Sequence, residues 1–402
     1  MEFLQNLNIT RSSETQPVIP KKILIGILDW GLGHTTRCIP LVSYLLQFQC
    51  QIFIAASPGQ KLMLEKEFDG LQFLDLEGYN VRYPGSGRRF SLLMLRQLPH
   101  FLRIIRKEKA WLAHMMKIHH FSAIISDNRY GLYHNKAKSV FITHQLSVIS
   151  GAGNWVDTIL RKIHYAFINR FNTVWIPDAA SKPFLSGKLG HPVPLPPQSC
   201  YLGPISRMIP MDTQEALDLM IILSGPEHQR TLLENIILAE LRHFSGSYLL
   251  VRGLPEGNTQ LPLEGHYHPQ PAGSSMTDSP NTGSSITGPP FKKAAIVNYL
   301  DAEALNRKIC SASLVICRSG YTSIMDLVKL KKKAILIPTP GQTEQEYLAT
   351  YFEKQQIFLS ARQDGFNLMK MMDHVKTFPF SFPSPDFSEY ERVLSAFMQS
   401  LP

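Results

Sequence analysis

The chain has 402 residues, 44% of them hydrophobic and 18% charged, and a formal net charge of +9. That length favours two domains with a buried core in each, and the composition excludes a fibrous or wholly disordered chain. No apolar stretch reaches the ~20 residues a membrane span needs. The five cysteines (Cys38, Cys50, Cys200, Cys310, Cys317) show no ligand spacing and point to reduced thiols in a cytoplasmic protein.

Met1–Pro20 is polar and lacks the basic-then-apolar order of a secretory signal, so residues 1–20 read as a flexible tail. Short apolar runs then alternate with helical stretches. Lys22–Leu28, Gln51–Ala55, Leu71–Asp75, Ala123–Ser126, Ser139–Ile142 and Thr173–Ile176 read as strands, with helices such as Thr36–Phe48 and Trp155–Asn169 between them. This is the βαβ rhythm of a parallel sheet covered on both faces. The first strand runs into a glycine turn, Asp29-Trp30-Gly31-Leu32-Gly33-His34-Thr35-Thr36-Arg37, that opens a helix.

Between Arg82 and Lys117 nine basic residues face Glu108 alone, so most of the chain's excess charge sits in one segment. From Leu98 the apolar residues Phe101, Leu102, Ile105, Leu112, Met115 and Met116 recur at helical spacing. A basic amphipathic helix suits an anionic membrane surface. It equally suits an ordinary packed helix with a solvated basic face. No nucleic-acid motif accompanies the charge, so nucleic acid is not an expected partner.

Pro177–Pro210 is rich in proline and glycine, which excludes long helices and central strands. The domain boundary falls near its end, giving a first domain over 21–205 and a second over 206–385. The second domain restarts the rhythm with strand Leu219–Leu223, a turn at Ser224-Gly225, and a helix through Leu241. Strands at Tyr248–Arg252, Ala294–Asn298, Leu314–Cys317 and Ala334–Pro338 follow. Residues 254–292 repeat Pro, Gly, Ser and Thr with few large apolar residues, which predicts a disordered insertion. The last segment, 386–402, carries the spacing of a terminal helix. A second glycine turn, Arg318-Ser319-Gly320-Tyr321-Thr322-Ser323, follows the Leu314–Cys317 strand. Each turn sets helix N–H groups where phosphate or sugar oxygens can be held, one turn per domain, which predicts an enzyme with its ligands in an interdomain cleft.

The ordered set of motifs resembles glycosyltransferase family 28, the group that includes the lipid II-forming N-acetylglucosaminyl transferase. The resemblance rests on Gly31-Leu32-Gly33-His34, on Ser224-Gly225, and above all on the block from Ser319-Gly320 through Asp326 and Pro338 to Gln345-Glu346-Tyr347. Asp326 stands where the family usually has Glu, and Glu346 replaces the second glutamine of a Gln-Gln pair. The resemblance implies the GT-B architecture, α/β with two Rossmann-like doubly wound parallel-sheet domains facing a cleft. It implies an inverting hexosyltransferase that uses a nucleotide sugar, UDP-linked for preference, and no metal or cofactor. The acceptor would be a sugar, lipid-linked or other hydroxyl, as in polysaccharide or glycolipid biosynthesis for the cell envelope. An inner-face peripheral location would follow if Arg82–Lys117 meets a membrane.

The same resemblance implies roles for particular residues. Donor binding falls to Ser224, Gly225, His228, Arg230, Ser319, Gly320, Tyr321, Thr322, Asp326, Gln345 and Glu346, with Asp326 accepting from ribose hydroxyls. Acceptor binding falls to Gly31, Gly33, Thr35, Arg37 and His144. His34 suits a general base, because imidazole titrates near neutrality, and Asp127 at the end of a strand would orient it. A histidine that only binds acceptor or phosphate at the helix start is the other reading of His34. Two rivals remain at this level: a sugar-nucleotide epimerase on the same fold, and a non-catalytic sugar-nucleotide-binding scaffold.

Overall fold

The computed structural model describes residues 20–79, 90–254 and 294–402, with side chains over the helix beginning at 90 described only from residue 99 onward. The expected tail, Arg82, Arg88 and Arg89 of the basic segment, and the insertion therefore lie outside the described residues, apart from Pro20 and Leu254 at their edges. The first domain runs β1 (Lys22–Ile27), α1 (Leu32–Leu46), β2 (Gln51–Ala56), α2 (Pro58–Glu67), β3 (Gln72–Asp75), α3 (Phe90–His119), β4 (Ala123–Asp127), β5 (Lys138–Ile142), α4 (Asn154–Ile168), β6 (Thr173–Ile176) and β7 (Ser199–Tyr201). The second runs β8 (Leu217–Ile222), α5 (Glu227–Leu241), β9 (Tyr248–Val251), β10 (Ala294–Val297), α6 (Ala302–Ser311), β11 (Ala312–Cys317), α7 (Tyr321–Lys329), β12 (Ala334–Leu336), α8 (Thr343–Lys354), β13 (Leu359–Ser360) and α9 (Leu368–Thr377). A last helix, α10 (Glu389–Gln399), follows.

The first sheet has the order β3-β2-β1-β4-β5-β6-β7 and the second β10-β9-β8-β11-β12-β13. All the pairings are parallel. In each sheet the winding reverses beside the first strand, between β1 and β4 and between β8 and β11. A crevice opens at the carboxyl ends of strands at such a reversal. Register brings Ile27 opposite Asp127 in the first sheet and Cys317 opposite Ile222 in the second. The strand ends that carry the two glycine turns therefore stand at the two reversals. The strands are apolar on both faces because helices cover both, as in buried Ile23, Leu24, Ile25 and Ile27 of β1.

One local reading of the sequence needs correction. Helix α1 begins at Leu32 rather than Thr36, because the Gly31 turn opens it directly, so His34 lies in its first turn. The proline-rich stretch holds neither a long helix nor a central strand, only the three-residue β7. It survives there as an edge strand, pairing on one side with β6.

Helix α10 leaves the second domain and packs on the first. Its Leu394, Phe397 and Met398, with Leu401, are buried among α1 and the first sheet. Each such side chain contributes roughly 1.5–3 kcal/mol by burial. The chain thus crosses between the domains twice, and the crossings touch at Gly203. A Cβ there would stand 2.8 Å from Glu389 Cβ and 3.1 Å from the Asp386 carbonyl oxygen, and its φ of +73° also favours glycine.

Candidate active site

The first glycine turn carries a buried charge cluster. Gly31 (φ +79°) swings the chain off β1 and α1 starts at once, placing His34 and Arg37 one turn apart on one face. Asp127 ends the neighbouring strand β4. His34 Nδ1 lies 3.0 Å from Asp127 Oδ1. Arg37 Nε donates to Asp127 Oδ2 at 2.7 Å, and Arg37 Nη2 meets Oδ1, so the guanidinium grips the carboxylate side-on. Asn128, in the left-handed region at φ +56°, turns the chain just after the strand. With its amide nitrogen directed to the Ile142 carbonyl and Thr143 Oγ1, its oxygen accepts from Arg37 Nη2 at 3.1 Å.

Burial alone would raise the Asp127 pKa. Arg37 and His34 outweigh that and hold the carboxyl well below the usual carboxylate range. Burial is also the largest influence on His34 and lowers its pKa below 6.5. Asp127 opposes that drop, while Arg37 and His144 add to it. The positive end of α1 acts in the same direction. The imidazole is therefore neutral at neutral pH. Where Nδ1–H donates to Asp127, Nε2 is bare and can take a proton.

The remaining residues predicted for acceptor binding separate. Gly31 is exposed and a Cβ there would meet nothing within 4 Å. Gly33 offers its carbonyl to the second domain, accepting from Thr322 Oγ1 at 3.1 Å. Thr35 is fully buried and its hydroxyl has no partner. Arg37 and His144 are buried and spent on other groups. Arg37 Nη1 lies 3.3 Å from His144 Nδ1, and His144 Nε2 lies 2.7 Å from Glu344 Oε1 at the start of α8. The His144 ring also stacks on Tyr321, centroids 4.1 Å apart. Arg37 and His144 are thus engaged by protein groups in this structure, while the buried Thr35 hydroxyl is not.

The second glycine turn is built differently. No side chain caps α7 at Gly320, and a Cβ on that glycine would meet nothing within 4 Å, so the backbone N–H groups of its first turn border open space. Ser224 and Gly225 (φ +101°) at the end of β8 are exposed, as is His228. Thr339, just past β12, contributes a hydroxyl that is buried, without a partner, and 3.6 Å from where a Gly225 Cβ would stand. These strand ends are neighbours in the sheet.

Several residues expected to bind donor have protein partners in this structure. Ser319 is fully buried, its hydroxyl donating to the Gln345 carbonyl at 2.8 Å. Tyr321 is buried in the domain seam, its hydroxyl donating to the Pro177 carbonyl at 2.7 Å. Gln345 and Glu346 accept from the backbone N–H of Thr339 and Gly341, which braces the loop before α8. Arg230 is clasped by Glu227 and Glu234. Asp326 is buried, and its Oδ1 accepts from Ser206 Oγ in the interdomain linker at 2.5 Å, so the carboxylate does not stand free for a ribose. Burial raises its pKa to about 6, although Ser206, Arg207 and Lys329 pull it down.

Glu344, Asn128 and Thr339 escaped the sequence reading. Glu344 carried one usable signal: it is an acid in the first turn of a helix, beside the Gln345-Glu346 pair. Among the described residues, no group of three or more His, Cys, Asp or Glu could hold a metal ion, and no helix is long and apolar enough to cross a membrane.

Comparison with known proteins agrees with this architecture. Residues 274–378 match the glycosyltransferase family 28 C-terminal domain. No curated protein matches the chain by sequence. The fold is shared with solved structures at low identity. The spinosyn rhamnosyltransferase SpnG is 13% identical, with a TM-score of 0.58 and 95% of this chain and 97% of that one covered. The same enzyme complexed with thymidine diphosphate gives a TM-score of 0.55 at 13% identity, with 95% and 97% covered. The calicheamicin glycosyltransferase CalG4 gives 0.54 at 12%, with 95% and 94% covered. Two parallel-sheet domains meeting at their glycine turns make the GT-B architecture that these solved structures share. The chain therefore has the GT-B fold, and residues 274–378 are similar to the family 28 C-terminal domain.

Proposed function

We propose that the protein is an inverting, metal-independent glycosyltransferase that moves a sugar from a nucleoside-diphosphate sugar to an acceptor hydroxyl. The observation that carries this reading is the His34–Asp127 contact at 3.0 Å, beside a Gly33 carbonyl that touches Thr322 of the opposite glycine turn. His34 Nε2 takes the hydroxyl proton as the acceptor oxygen attacks the anomeric carbon from the face opposite the leaving group. The bond from that carbon to the diphosphate oxygen breaks, and the nucleoside diphosphate leaves with both electrons. The free N–H groups after Gly320, with Gly225 and the Thr339 hydroxyl, receive the growing negative charge. The family resemblance favours UDP, whereas the SpnG relative is one solved with thymidine diphosphate.

The test is release of nucleoside diphosphate from a panel of UDP-, dTDP- and GDP-sugars with hydroxyl acceptors. His34→Ala should lower turnover by ~10²–10⁴, the range for a lost general base, with nucleotide affinity kept within about threefold. Unchanged turnover would remove His34 as the base, and nucleotide binding without product for any acceptor would favour the scaffold.

The acceptor on this reading is presented at an anionic membrane surface. Arg103, Arg106 and Lys117 are exposed on α3. Trp155, Ile159 and Ile163 form an exposed apolar stripe on α4, with Trp155 70% exposed. Lys109 of α3 and Arg170, just past α4, both donate to the Tyr133 hydroxyl. Each basic group near such a surface is worth ~1 kcal/mol within a Debye length of ~8 Å. Flotation with anionic vesicles at low salt, lost on exchanging Arg103, Arg106 and Lys117 for Gln, is the expected outcome. Wild type that stays off the vesicles would remove the membrane from the reading.

A further inference from the structure

We infer that Glu344 is a positioning residue which, through His144 and Arg37, makes the strength of the His34 base depend on closure of the two domains. The inference rests on the reading of His34 as the base. It begins with hydrogen-bond directions. Arginine only donates, so His144 Nδ1 must accept from Arg37 Nη1, and its Nε2 carries the hydrogen given to Glu344. The Arg37 Nη2 hydrogens go to Asp127 Oδ1 and the Asn128 oxygen, and Nε goes to Asp127 Oδ2. Nη2 also stands 2.8 Å from His34 Nδ1, and with the Asn128 oxygen taking its second hydrogen, Nδ1 is left to the Asp127 carboxylate. The His34 ring therefore donates from Nδ1 to Asp127, and its Nε2 is the free base.

Charge then decides when that base is strong. With the domains separated, the buried first-domain cluster holds Asp127 against Arg37 and is neutral overall. An imidazolium formed there would be an uncompensated buried cation, which is costly. Closure brings the Glu344 carboxylate of α8 against His144, and an imidazolium on His34 then leaves the cluster balanced. The other titratable groups facing this cluster stay neutral: burial pushes up both the Cys38 thiol on α1 and the Tyr321 hydroxyl on α7. Glu344 itself is held below the usual carboxylate range. Burial would raise it, but His144, His34 and Arg37 prevail. Separation of the domains withdraws the second carboxylate, so the base weakens whenever the donor-binding domain is undocked. That restrains proton abstraction until the site is assembled.

The test uses Glu344→Gln, which removes the charge while its amide oxygen can still accept from His144. Histidine-ring NMR of the full chain, with the His34 signal identified by its loss in His34→Gln, should show the Nδ1–H tautomer in wild type. The Glu344→Gln variant should titrate His34 about one pH unit lower, a tenfold change in proton affinity. With whichever sugar nucleotide of the panel turns over, kcat should fall about tenfold and the acid limb of kcat/KM should move down, while donor KM stays within about twofold. Glu344→Asp should restore most of the lost kcat. Glu344→Ala should reproduce the titration shift, which keeps the inference testable if Glu344→Gln folds poorly. An unchanged His34 titration, or an effect confined to donor KM, overturns the relay. Full turnover in His34→Ala would instead overturn the base assignment itself.

Discussion

The two glycine turns occupy matching places in their domains and do opposite electrostatic work. Around the first, four ionisable side chains are packed into a near-dry cluster: His34, Arg37, Asp127 and His144. Around the second, charge is kept away. Arg318, two residues before Gly320, is buried with its Nη donors turned to the Ile337, Pro338 and Gln229 carbonyls and to Gln363. What faces the open space by Gly320 is backbone. A proton is moved by side chains whose affinity can be tuned, whereas a departing diphosphate is held by dipoles that cannot lose their charge.

The contrast can be broken at either end. The largest effect belongs to the charged turn. Arg37→Met leaves Asp127 buried without its guanidinium, and stability should drop by about 3–5 kcal/mol in chemical denaturation. A loss under 1 kcal/mol would mean that water reaches the cluster. Next comes Asp326, whose folded pKa of about 6 lies above the ordinary 3.8. A raised carboxyl pKa gives stability that is full below 3.8 and is lost as pH rises through 6, by an amount of order 1–3 kcal/mol. Asp326→Asn should flatten that decline between pH 4 and pH 8 in thermal melts, and a parallel decline in both proteins would refute it. At the neutral turn, Gly320→Val adds bulk where nothing stands within 4 Å, at an unstrained φ of −70°. Nucleoside diphosphate affinity should fall about tenfold, near 1.4 kcal/mol, with the melting temperature hardly moved. The smallest is a shift in profile: because His34 titrates below 6.5, the acid limb of kcat/KM should lie below that of free histidine.

The sequence displayed the parallel sheets, both glycine turns and the His34–Asp127 proximity, because strand-to-helix turns leave a local imprint and strand ends converge. What it hid was which side chains face inward. The family pattern nominates Arg37, His144, Ser319, Tyr321, Gln345 and Asp326 as ligand contacts, yet each is held by a partner supplied from another element, as Asp326 is by Ser206. Such pairings span up to 200 residues, as between His144 and Glu344, and no periodicity records them. β7 was hidden for another reason: three residues are too few to alternate.

The double crossing at Gly203 limits how these domains can move. A single tether would allow the second domain to swivel in any direction, and the turns could meet in many poses. Two strands of chain pressed together at one glycine behave as a door hinge with a single pin. The Thr322–Gly33 and Glu344–His144 contacts lie across the domain pairing that these two crossings hold together. Alignment of the two halves is thereby written into the path of the backbone, independent of any ligand that enters.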